Sequence, residues 1–184
     1  RTILWSLRGM AFDITTVRPT ISDGAHAAGD VVFNLTSFTL PAKNCKLVNV
    51  FAEVLGGGGE DNTKIGLLFF QKNDTASLGG LNDSADISAV NFDNNNFIGA
   101  SFLQLSSGTQ NDLDLIDNVA LYYGGAFGTS SNNARVTSFD PVVLKAEFDR
   151  ECFIAGVIHD GTPDFDGTSN LKLHLHVEYW YMKI

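Results

Sequence analysis

One segment near the end of the chain alternates without a break. Leu171, Leu173, Leu175, Val177 and Tyr179 fall on one side, with Lys172, His174, His176, Glu178 and Trp180 on the other. A period of two is the mark of a half-buried strand, with one face on a core and the other toward solvent or a partner. A helix would scatter these leucines around its axis instead of lining them up. A chain containing such a strand must supply a second apolar layer to cover it.

The rest of the sequence supplies that layer in short pieces. Extended runs are predicted at Phe12–Thr20, Val31–Leu40, Cys45–Leu55, Ile65–Phe70, Phe97–Leu105, Asn118–Tyr123, Val142–Phe148 and Glu151–Ile158. Pro41, the Gly56–Gly59 run, the Asp93–Asn96 turn, Gly124-Gly125 and His159–Pro163 punctuate them. Ile65–Phe70 is apolar on both faces and reads as a central buried strand. Ser106–Asp114 reads as a polar loop, and Asn82–Ile87 as one helical turn capped by Asn82 or Asp83. No segment keeps an apolar period of 3.6 residues for three turns. The expected fold is all-β, an antiparallel β-sandwich with jelly-roll connectivity. The expected organisation is a short N-terminal arm over residues 1–11 and one domain over 12–184.

Composition agrees and narrows the role. There are 18 Gly and 14 Phe, while charged residues are only 18% of 184. Glycine supplies the positive-φ turns, and Phe with Val fills pleated surfaces. Lys and Arg number 12 against 21 Asp and Glu, a formal charge of −9. That balance argues against a nucleic-acid partner, because affinity for phosphate comes from basic residues. It argues equally against an anionic membrane surface.

Candidate chemistry is sparse. His174, His176 and Glu178 share one face of a strand at ~7 Å intervals and are ligand types of non-haem iron or zinc sites. The His-x-His pair is similar to that of cupin-type jelly rolls. Yet the leucines claim the interior, and Lys172 on the same face disfavours a metal, so a surface strand is the favoured reading. Gly56–Gly59 lacks the Lys-Ser or Lys-Thr of a phosphate loop and is read as a hairpin tip. Asp112, Asp114 and Asp117, and separately Asp164 and Asp166, cluster carboxylates without the distal Glu of a calcium loop. Cys45 and Cys152 each sit in an apolar run and are read as buried free thiols, with a bridge between adjacent strands as the alternative. Asn34, Asn73 and Asn82 begin Asn-x-Ser/Thr triplets that chance explains in so Asn-rich a chain. No catalytic residue, cofactor or metal is assigned.

Both ends of the chain carry apolar residues suited to contact. Leu4, Trp5 and Leu7 form an arm that would dock on a neighbouring subunit, and Trp180 and Tyr181 end the last strand as subunit contacts. The sequence opens on Arg1, and Met10 is a candidate original start.

Several of these pieces, in this order, resemble a family of small β-sandwich virion proteins of marine tailed phages. They are Ala27–Asp30, Leu40–Asn44 leading into Lys46–Val50, Ile65–Phe70, Asn82–Asp86, Gly156–Pro163 and Leu171–Leu173, within residues 11–181. The resemblance implies a capsid decoration or cement protein on the outer surface of the head, made in the host cytoplasm. It would bind the major capsid protein and copies of itself by non-catalytic contacts, as a homo-oligomer around three- or six-fold positions. Two alternatives follow from individual residues. One is a tail or fibre adhesin with a lectin-like pocket at Asp164, Asp166 and Trp180. The other is a cupin-like metalloenzyme using His174, His176 and Glu178.

Overall fold

The alternation at the end of the chain becomes the longest described strand. The computed structural model describes residues 7–55, 63–74, 78–86, 93–104, 112–116, 119–125, 142–147, 149–165 and 167–183. Its strands in chain order are β1 (Leu7–Val17), β2 (Gly24–Ala25), β3 (Val31–Thr39), β4 (Asn44–Leu55), β5 (Lys64–Phe70) and β6 (Phe97–Gln104). They continue with β7 (Asp112–Ile116), β8 (Val119–Gly125), β9 (Val143–Lys145), β10 (Glu151–Asp160), β11 (Asp164–Phe165) and β12 (Leu171–Lys183). On β12, Leu171, Leu173, Leu175 and Val177 are completely buried, while Lys172, His174, His176 and Glu178 are half-buried on the outside.

These strands pair antiparallel, in the order β1-β12-β4-β8-β6-β5-β10-β3, with β7 beside β8 and β9 beside β4. Among these eight the pairing is nested. The first strand pairs with the last, β3 with β10, β4 with β8, and β5 with β6. This is an antiparallel sandwich whose order is compatible with jelly-roll connectivity. Among the described residues the path passes from one half to the other at Phe102↔Gly125 and Leu103↔Gly124. It then curls until its two ends meet, where the Thr15 hydroxyl on β1 donates to the Thr39 carbonyl at the end of β3, 3.3 Å away.

One core lies between the halves. Val50, Ala52, Val54 and the β12 aliphatics face Phe33, Phe38, Leu67, Phe69, Leu103 and Ile154. A second, smaller cluster of Val31, Phe70, Leu78 and Ala155 lies on the other side of β3, β10 and β5. Segment 78–86 covers it, with Leu81 and Ala85 packed against it.

Three sequence expectations are corrected. The 82–86 stretch is not a helical turn: Asn82 has φ 60°, Asp30 bridges Ser84, and Val31 bridges Leu81. Its backbone docks on the start of β3, with Val31 N–H donating to Asp83 O at 2.9 Å and Ala85 N–H to Gly29 O at 2.8 Å. Covering an apolar cluster outweighs the local helical preference of Asn and Asp near a cap. The Ser106–Asp114 loop ends in a strand, since β7 begins at Asp112 and pairs with β8. The first strand begins at Leu7, inside the segment read as an arm, and ends at Val17, just ahead of Arg18-Pro19. The early start follows from β12, whose long C-terminal half gives residues 7–11 a partner. The early stop follows from Pro19, which has no N–H for the ladder.

Candidate functional site

The outer face of β1, β12 and β4 is the most distinctive surface of the described residues. Directly opposed residues of an antiparallel pair lie on the same side of the sheet. The β1–β12 register therefore places Met10 beside Trp180, Phe12 beside Glu178, Ile14 beside His176, and Thr16 beside His174. Phe12 and Trp180 are each 65% exposed, Ile14 54% and Met10 48%. Two further exposed residues extend the apolar surface. Val48 lies at the register shift opposite His176 and Val177, and Val143 on β9 lies beside Lys46.

The apolar row ends in a polar cluster. The β12–β4 register sets Lys172 opposite Glu53, His174 opposite Phe51, and His176 opposite Asn49. Lys172 Nζ is 2.7 Å and His174 Nε2 3.2 Å from the same Glu53 oxygen, Oε2. The hydrogen bond from Lys172 is the main reason that the Glu53 carboxyl lies below the usual range, with His174 adding to it against the opposing effect of burial. Thr16 Oγ1 is 3.4 Å from His174 Nδ1. His176 stacks at a tilt on Phe51, ring centroids 4.7 Å apart. Burial first, and then the neighbouring His174, lower the pKa of His176. Glu178 Oε2 faces Lys46 Nζ at 3.9 Å.

Thr16, His174 and Glu53 follow the hydroxyl–imidazole–carboxylate order of a nucleophilic relay. The first link is long, however, and Lys172 holds the carboxylate. On an open sheet face this group works as a charge-balanced polar border to the apolar row.

The spacing of His174, His176 and Glu178 does place them on one outer face, as the sequence implies. They do not converge: His174 is turned to Glu53, His176 to Phe51 and Glu178 to Lys46. Among the described residues no three His, Cys, Asp or Glu side chains are grouped to hold a metal ion. Of the three residues of the lectin-like pocket, Asp164 lies on β11 and Trp180 near the end of β12. Asp166 lies outside the described residues, as do Asp117 and the Gly56–Gly59 run.

Of the contact residues expected from sequence, Leu4 and Trp5 lie outside the described residues, and Leu7 opens β1. Trp180 and Tyr181 point to opposite sides of the β12 end. Trp180 joins Met10 on the outer face, and Tyr181 lies over Gly9 on the other. Sequence reading missed Met10, Phe12 and Ile14, whose alternate spacing puts them on one side of a strand without showing what lies beside it.

Cys45 and Cys152 are free and buried. Burial pushes both thiols up, Cys152 to about 12 with further contributions from Cys45 and Glu151. Neither is an activated thiolate. Asn34 engages both ends of its amide internally: Nδ2 donates to Gly79 O at 3.0 Å, and Oδ1 accepts from Leu78 N–H at 2.9 Å.

No family model matches this chain. No curated protein matches it. Among solved structures, a chain of Desmodium yellow mottle tymovirus aligns over 100% of this chain and 94% of its own, with 10% identity and a TM-score of 0.30. A chain of Turnip yellow mosaic virus aligns over 96% of each, with 7% identity and a TM-score of 0.27. A chain of Cocksfoot mottle virus aligns over 97% of this chain and 86% of its own, with 10% identity and a TM-score of 0.24. All three scores are low, and the role of this chain is argued from its own residues.

Proposed function

We propose that this chain is a virion structural protein, a jelly-roll subunit of the head-decoration type found in tailed phages, and that it acts by contact and not by catalysis. In this reading it is made in the host cytoplasm and sits on the outer surface of the head. There it binds the major capsid protein and further copies of itself. The observation that carries the reading is the outer row of Met10, Phe12, Ile14 and Trp180. It places four large apolar side chains, each about half exposed or more, on two neighbouring strands of the sandwich. A solvated sheet face normally carries polar residues at such positions, and a clustered apolar face marks an interaction site. The resemblance of segments within residues 11–181 to phage virion proteins supports the same role, and the acidic balance suits a protein kept off packaged nucleic acid.

The test is to purify native particles, identify their chains by mass spectrometry and image the heads. The chain is expected at fixed stoichiometry on the head exterior. Its absence from the particles, or confinement to the tail, overturns the assignment.

A further inference from the structure

The chain carries a formal charge of −9, so two copies repel in most orientations. The outer face of β1, β12 and β4 is different. Its described charged side chains are Lys46 with Glu178 and Lys172 with Glu53, two cations facing two anions, and at its border Lys145 lies on the same outward side of β9 as Val143, so the surface is close to neutral. Asp13 lies between Phe12 and Ile14 in sequence, so alternation turns it to the other side of β1. Between the matched pairs runs the apolar row, with the uncharged Thr16 and the half-buried His176 beside it.

We infer that this face is where a second copy of the chain docks, outer face to outer face about a two-fold axis, with Phe12 next to the axis. The inference rests on the contact-protein reading and specifies its surface. The matched charges say which occupant fits. A strongly basic or acidic partner would find little net charge to meet here, whereas a second copy meets a nearly neutral, apolar face identical to its own. A two-fold contact is self-complementary by construction, and a residue beside the axis meets its own counterpart. Phe12 is the natural axis residue, being flanked along β1 by Met10 and Ile14 and more exposed than either. Contact through the strand edge alone would leave these side chains in water. Contact through the face removes them from it, with Phe12 and Trp180 as aromatic anchors and the ion pairs at the rim.

The experiment uses the full chain at neutral pH. Light scattering coupled to size exclusion gives its mass across micromolar concentrations, and mild oxidation of the Phe12→Cys variant reads proximity to the axis. The expected result is a dimer, its conversion to a covalent dimer through the thiol introduced by Phe12→Cys, and at least about tenfold weaker self-association in Phe12→Glu and Trp180→Glu. Ser37→Cys, at an exposed position on β3, is the control and is expected to stay uncross-linked. If the charged variants fail to fold, the cysteine cross-link in the otherwise native chain still decides. A monomeric wild-type chain overturns the inference, as does a Phe12→Cys variant that does not cross-link or a dimer indifferent to both charged substitutions. A chain that is monomeric alone yet present on purified heads overturns this surface while leaving the virion assignment standing. A chain that dimerises through Phe12 yet is missing from the particles does the reverse.

Discussion

The ring of Phe33 fills the place where a β-carbon at Gly156 would stand, with its Cδ1 2.7 Å and its Cζ 2.8 Å from that point. Phe33 is completely buried, and the β10–β3 register shifts on both sides of Gly156. The missing side chain on β10 is what lets the phenyl ring of β3 enter the core. Gly156→Ala is therefore expected to destabilise the fold by about 1–3 kcal/mol, because a buried ring has nowhere to withdraw. Phe33→Leu in the same chain should recover part of that loss, although Phe33→Leu alone is destabilising. Urea denaturation of the two single variants and the double variant measures the coupling. Additive losses would show that the ring and the α-carbon do not compete for this space.

Asn34 holds the covering segment in place. Its amide is bonded at both ends to the 78–79 backbone, and that segment shields Phe70 and Ala155. Asn34→Ala removes the acceptor of the Leu78 N–H and a donor to the Gly79 carbonyl, and is expected to cost about 1–3 kcal/mol. Hydrogen exchange should accelerate over 78–86 before it does elsewhere. Unchanged exchange there would mean that the bridges at Leu81 and Ser84 are sufficient alone.

The outer cluster predicts two separate steps in stability as the pH falls. The His176 pKa is lowered in the folded chain, so the unfolded chain binds its proton first. Stability is at its full value above the ordinary histidine range and declines as the pH falls through that range toward the lowered folded pKa. The Glu53 pKa is also lowered, so its contribution is present above the ordinary glutamate range and is lost as the pH falls below it. Each effect is small because these side chains keep access to solvent. His176→Phe should remove the first step and Glu53→Gln the second, read from thermal melting at a series of pH values. A step that survives its own substitution belongs to another group.

Much of the architecture was legible because burial has a period. Leu171 to Val177 alternate without interruption, and the strand they form lies where their pattern puts it. Ile65 to Phe70 are apolar on both faces, and β5 lies between β6 and β10 as a central strand must. Asp112 and Asp114 hid β7, since carboxylates alternating with leucines read as easily as a polar loop. The contact face was half legible. Met10, Phe12 and Ile14 lie at one end of the sequence and Trp180 at the other, and each set alone says little. Only the β1–β12 register joins them into one surface. The same register shows why three metal-ligand types on one strand did not make a site: β4 brings Glu53, Phe51 and Lys46 alongside, and each captures one of them.

The two thiols should be silent until the fold opens. Cys45 Sγ donates to the Ala42 carbonyl at 3.4 Å, and both sulfurs lie in the core with raised pKa values. Native protein at pH 8 is expected to react with none of its cysteines on the timescale of a standard thiol assay, and to react with both in denaturant. Rapid labelling of either one in the native state would contradict its burial.

The last strand outruns its support on one side, and the consequence is local. Pairing of β12 with β4 ends at Glu178, so among the described residues Tyr179 to Lys183 pair only with Leu7 to Ala11. This two-stranded ribbon carries Trp180 and Met10, the upper end of the apolar row. Isolated two-stranded ribbons are marginal in water, so this one depends on its cross-strand contacts. The Tyr181 ring lies across Gly9, with Cζ 2.6 Å from where a β-carbon would stand. Gly9→Val would displace the ring and splay the ribbon. Tyr181 is partly exposed and can swing away, so global stability should fall by no more than about 1 kcal/mol. Hydrogen exchange should nevertheless quicken at residues 7–11 and 179–183 while Leu171 to Val177 keep their protection. If protection is lost evenly along β12, the ribbon is cooperative with the core and Tyr181 is not its local clasp.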